Sequence, residues 1–68
     1  MEEDLVNIYG TGQPYVAELL RQMLADHDIQ CYIINKQDYA YKFGDIELYV
    51  HRDNVIRAKK MIQEFEKQ

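Results

Sequence analysis

Ile46-Glu47-Leu48-Tyr49-Val50-His51 alternates apolar and polar side chains without a break. Successive side chains of an extended chain point to opposite faces, so Ile46, Leu48 and Val50 share one face and Glu47, Tyr49 and His51 the other. That is the pattern of a strand with one face in a core. Asp53 follows two residues later as a good N-cap for a closing helix. The helix carries Val55, Ala58, Met61, Ile62 and Phe65 on its buried side, and Arg57, Lys60 and Glu64 on its wet side.

Upstream, Ile29-Gln30-Cys31-Tyr32-Ile33-Ile34 reads as a second strand, with Ile29, Cys31 and Ile33 on one face and Gln30, Tyr32 and Ile34 on the other. Further back, Leu5-Val6-Asn7-Ile8-Tyr9 is short, rich in strand formers and bounded by Gly10. Gly10-Thr11-Gly12-Gln13 is a loop, and Pro14 fits a first helical position, where a missing N–H is harmless. Val16, Leu20, Met23, Leu24 and His27 then recur at helical spacing, with Ala17 and Leu19 widening the stripe. This helix is expected to end near His27-Asp28.

The order is therefore β-α-β-β-α. A strand-helix-strand unit takes a right-handed parallel crossover, and the third strand can return antiparallel between the first two. The expected fold class is α+β: a ferredoxin-like plait lacking the fourth strand, with both helices on one face of a three-stranded sheet. Two consequences follow. The first strand is left as an edge able to pair, and the second face of the sheet has no helix over it.

Composition agrees with one small domain over residues 1–68. The chain has 68 residues and 47% hydrophobic content, enough to exclude disorder by composition. Its 8 basic and 12 acidic residues leave a net charge of −4, which argues against a nucleic-acid partner. The single cysteine cannot form an internal disulfide. The N-terminus, Met1-Glu2-Glu3-Asp4, is acidic where a signal peptide is basic, and no apolar run reaches membrane-spanning length. A cytoplasmic location without membrane attachment is the expectation. Domains of this size hold a margin of roughly 3–5 kcal/mol, so self-association or a partner is expected.

Parity places Asn7, Tyr9, Tyr32, Ile34, Glu47, Tyr49 and His51 on the uncovered sheet face. Three tyrosines and an isoleucine there suit an interface, because tyrosine offers apolar area plus a hydroxyl at low entropy cost. Half-buried strands also favour tyrosine simply because it packs across strands. Aromatic rings on such a face can stack single-stranded bases. Here, however, no lysine or arginine lies on it apart from the adjoining Arg52. Between the second and third strands, residues 35–45 form a long connection in which Tyr39, Tyr41 and Phe43 alternate with other residues. Those rings either bind something or fold back to plug a core too small to close itself.

Searches for chemistry return little. Gly10-Thr11-Gly12 begins like a dinucleotide fingerprint, but Tyr15 stands where the third glycine belongs and Pro14 removes an N–H. His27, flanked by Asp26 and Asp28, suits a helix C-terminal cap. Neither it nor His51 belongs to a metal-ligand spacing, so no metal or other cofactor is expected. Cys31 faces inward as a small core residue. The chain contains no serine, so serine-based catalysis is excluded. Arg52, Arg57, Lys59 and Lys60 form a local basic patch, with Asp53, Glu64 and Glu66 close by, and read as a mixed charged helix face. No set of acid, base and nucleophile makes an enzyme.

The pattern resembles a small bacterial family of unknown function, described only as prokaryotic signal-transducing proteins. The likeness rests on Leu5-Val6-Asn7-Ile8-Tyr9, on Pro14 through Ala17-Glu18-Leu19-Leu20 to Leu24 and Ile29, and on Ile46-Glu47-Leu48-Tyr49-Val50 with Asp53 and Ala58. It covers nearly the whole chain, though mostly through its core pattern. Asp28 stands where the family often has glycine at the end of the first helix, which strains the backbone if that position is left-handed. The resemblance implies a fold like a truncated relative of PII-type signalling proteins and supplies no catalytic residue.

The expectation is a non-enzymatic interaction or sensory module whose surface is the open sheet face plus the 35–45 loop. Tyr32, Tyr49, Tyr39, Tyr41, Phe43 and His51 would form that surface, and the partner would be a protein or a second copy of the chain in a homodimer. The alternative is a small-molecule-binding regulatory dimer with the 35–45 loop as its lid.

Overall fold

The computed structural model describes residues 4–35 and 46–67. They form β1 (Leu5–Thr11), α1 (Pro14–Ala25), β2 (Cys31–Asn35), β3 (Ile46–His51), a 3-10 turn (Arg52–Asn54) and α2 (Val55–Glu66). The sheet order is β1-β3-β2, with β3 antiparallel to both neighbours. This is the α+β plait without its fourth strand. Both β1 and β2 end the sheet.

The central strand takes its place because its alternation is the cleanest. Ile46, Leu48 and Val50 are each at most 2% exposed and lie beneath Ala17, Leu20 and Leu24 of α1 and Ala58 and Ile62 of α2. Val16, Met23, Val55, Met61 and Phe65 close the rim of this core. The molecule measures 33 × 32 × 15 Å, the thickness of one helix layer on one sheet.

α1 is entered through a small turn in which Thr11 Oγ1 accepts the Gln13 N–H at 3.1 Å. It ends earlier than expected, at Ala25. The Ile29 N–H reaches back to the Leu24 carbonyl at 2.9 Å and the Asp28 N–H to the Ala25 carbonyl at 3.0 Å. Those bonds require a left-handed residue between them, and Asp28 supplies it at φ 64°. Ile29 and Leu24, both fully buried, pack together under the turn.

His27 thus lies beyond the helix rather than on its buried stripe. Its Nδ1–H donates to the Met23 carbonyl at 3.0 Å, which is the capping role expected of it. Leu19 also departs from expectation: it is 47% exposed, because the three buried residues of α1 face the opposite side of the helix.

A bulge changes the face assignments of β1. Val6 pairs with Val50 and Asn7 with Tyr49, but the next pair is Tyr9 with Leu48, so Ile8 is the extra residue. Parity flips there. Tyr9 turns to the helix side, packs against the core and donates its hydroxyl to Glu66 Oε2 of α2 at 3.1 Å. The expectation that Tyr9 lies on the open face is therefore corrected. The Asn7 amide fills the gap, donating to the Tyr9 and Leu48 carbonyls, each at 3.2 Å.

The turn into α2 differs as well. The cap residue is Asn54, whose side chain makes no capping bond, and Asp53 sits inside the 3-10 turn. The His51 ring does the capping, with Nδ1 accepting the Asp53 N–H at 3.1 Å.

Candidate functional site: the open face of the sheet

Strand pairing arranges the uncovered face in three rows. Leu5 lies opposite His51; Asn7, Tyr49 and Tyr32 form the middle row; Gly10, Glu47 and Ile34 form the third. Tyr32 is 46% exposed, and its hydroxyl makes no hydrogen bond among the described residues. Tyr49 is half-buried between its neighbours and donates its hydroxyl to Glu47 Oε1 at 2.7 Å. A carboxylate acceptor makes that a strong bond. It ties the one acid of the middle and third rows to a ring instead of leaving it free in solvent.

His51 sits at one end of this face with its ring already engaged. While Nδ1 accepts the Asp53 N–H, Nε2 lies 3.7 Å from Asp4 Oδ2. Arg52 Nε is 3.7 Å from the other Asp4 oxygen, and the Arg52 N–H donates to the Asp4 carbonyl at 2.7 Å. Among the described residues, the basic group that adjoins the open face, Arg52, is thus matched by an acid.

Of the residues expected to form the surface, the structure brings Tyr32, Tyr49 and His51 onto one face. Tyr39, Tyr41 and Phe43 lie outside the described residues, and so does the choice between lid and plug for that segment. Leu5 belongs to the face and was missed, although the parity it shares with Asn7 would have found it. Apolar exposure is not confined to the sheet: Tyr15 is 70% and Ile56 83% exposed on the helices.

Other candidates carry little chemistry. At the start of α1 the Val16 and Ala17 N–H groups are both taken by the Gln13 carbonyl, which leaves a poor cradle for phosphate. An open groove of about 340 Å³ lies between α1 and the start of β2, lined by Arg21, Ala25, Asp28, Ile29, Gln30 and Cys31. Its cation is already bound to Glu18. Burial pushes the Cys31 thiol up to about 11, and the nearby Arg21 charge offsets only part of this. The thiol is therefore protonated and a poor nucleophile at neutral pH.

Among the described residues no group of three or more histidine, cysteine, aspartate or glutamate side chains could hold a metal ion. Nor is any helix there long and apolar enough to cross a membrane. Fold and site together define a small α+β domain with one packed and one open sheet face. No protein-family model, curated protein or solved structure matches the chain.

Proposed function

We propose that the chain is a non-enzymatic, cytoplasmic interaction module, in keeping with the prokaryotic signal-transducing family it resembles, and that the open sheet face is its working surface. The observation that carries this reading is Tyr32, an aromatic ring 46% exposed in the middle of a strand with no bond to its hydroxyl among the described residues. Tyr49 stands directly opposite it on β3. A rigid amphipathic ring with an unused hydroxyl is what protein interfaces favour at their centres. Leu5 and Ile34 extend the apolar area on either side. A protein partner fits this surface better than a nucleic acid, since among the described residues the arginine beside it, Arg52, is matched by Asp4 and stacking with few phosphate contacts is weak.

The test uses protein purified gently from its own host and weighed intact under native conditions. A retained species of protein mass other than a multiple of the chain is the expected result. It should be lost in the Tyr32→Ser, Tyr49→Ser double variant, whose far-UV circular dichroism should match that of the parent. A retained mass too small to be protein would replace this reading with the ligand-binding one. Unfolding of the double variant would make both rings core residues and end the open-face proposal.

A further inference from the structure

Charge is distributed unevenly between α2 and the rest of the chain. Residues 52–67 hold five of the eight basic residues and three acids, while residues 1–51 hold three basic residues and nine acids. The five cations differ in what they touch. Arg57 donates to the His27 carbonyl at 3.0 Å, and Arg52 Nε lies 3.7 Å from an Asp4 oxygen. Lys59, Lys60 and Lys67 are exposed, and among the described residues none of their ammonium groups has an ion pair or hydrogen bond. The acids of α2 do not neutralise them. Glu66 accepts the Tyr9 hydroxyl, and Glu64, four residues after Lys60, makes no ion pair with it.

Ile56, Lys59, Lys60, Gln63 and Lys67 recur at i, i+3, i+4, i+7 and i+11, which sets them in one stripe along the outer side of α2 and its C-cap. The stripe is about 16 Å long and contains no acid. It begins at Ile56, which at 83% is the most exposed large apolar side chain among the described residues.

We infer that this outer face of α2 docks a short acidic segment of a partner protein, with one apolar side chain against Ile56 and carboxylates against Lys59, Lys60 and Lys67. Charge complementarity is the ground for choosing that occupant. A short acidic segment stays within reach of the lysines, since exposed charges act over a screening length of about 8–10 Å. A long polyanion such as a nucleic acid would also meet the acidic remainder of a chain of net charge −4. A lipid surface fits less well, because Val55, Ala58, Ile62 and Phe65, the apolar side chains that could enter it, pack in the core. The stripe lies on the helix side of the molecule, so the inference does not rest on the open sheet face being used.

Amide NMR shifts of the isotope-labelled chain test this directly. The probe is a capped peptide of one leucine followed by glutamates, about six residues long so that it covers the stripe when extended. The expected result is a set of saturable shifts at Ile56, Lys59, Lys60 and Gln63 that shrink with added salt. Lys59→Gln, Lys60→Gln should weaken binding about three- to tenfold. Ile56→Ala should weaken it severalfold, and so should glycine in place of the peptide's leucine, which tests the same contact on the unaltered chain. Arg21→Gln and Leu19→Ala, a cation and an exposed apolar residue on α1, should leave the affinity unchanged. The inference is overturned by an absence of shifts, or by shifts confined to Asn7, Tyr32 and Tyr49 on the open face. An affinity indifferent to the lysines or to the leucine overturns it too, as does one lost equally in Arg21→Gln. Tighter binding of a single-stranded oligonucleotide or of phosphatidylserine vesicles would replace the acidic segment with a phosphate ligand.

Discussion

Cys31 shows how one buried atom links sequence to pH behaviour. Its side chain is 6% exposed, and burial raises the thiol from an ordinary 9.0 to about 11. The native state therefore holds this proton where the unfolded chain has lost it, so the stabilisation is complete below pH 9 and disappears as pH rises towards 11. Tyr9 acts with the same sign at higher pH: burial first, then the hydrogen bond to Glu66 and its charge, raise its phenol above 10.0. The expected outcome is a urea midpoint that is level from neutral pH to pH 9 and falls steadily beyond it. The fall should be smaller in Cys31→Ala, measured against that variant's own neutral value. A wild-type midpoint unchanged through pH 11 would mean that water reaches the thiol in the native state. That Cys31 faces inward was legible from strand alternation; the size of the effect depends on helix α1 lying over it.

Among the elements, the ends and irregularities carry the departures from pattern. Helix α1 was visible in the spacing of Leu20 and Leu24, and α2 in the spacing of Ala58 and Ile62, because helical period selects the side chains that reach a core. Where α1 stops is a different matter. It is set by the bonds from Ile29 and Asp28 back to the Leu24 and Ala25 carbonyls, which force Asp28 to a positive φ. Aspartate tolerates that region better than most residues but less well than glycine. Asp28→Gly is expected to stabilise the protein by about 0.5–1 kcal/mol, seen as a rise of about 4 °C in the thermal midpoint. A lower midpoint would show that the Asp28 carboxylate contributes more than its backbone strain removes. The bulge at Ile8 had no comparable signal. Leu5 to Tyr9 alternates well enough to pass for a regular strand, and the extra residue is held by the Asn7 amide bridging two carbonyls and by the packing of Ile8 against the core. The capping role of His51 was hidden for the same reason, since Asp53 and Asn54 are the usual residue types for that task.

For the molecule as a whole, stability rests on a single layer of side chains between one sheet and two helices. Leu24 is fully buried at the centre of that layer, and Leu24→Ala is expected to cost about 2–5 kcal/mol. Against a margin of about 3–5 kcal/mol for a domain this small, the variant should show no cooperative thermal transition by circular dichroism at 25 °C and above. A transition within a few degrees of the parent would mean the cavity collapses without loss. By itself the sequence determined the order of elements, the three-stranded sheet with both helices on one side, and nearly all of its core. Period and alternation are local, and burial acts on them directly. The tertiary structure alone decided which face Tyr9 takes and that His51 meets Asp4. Each of these depends on a neighbour from a distant part of the chain: Leu48 across the bulge and Asp4 beside His51. Local pattern cannot contain such contacts, because they exist only once the strands have paired.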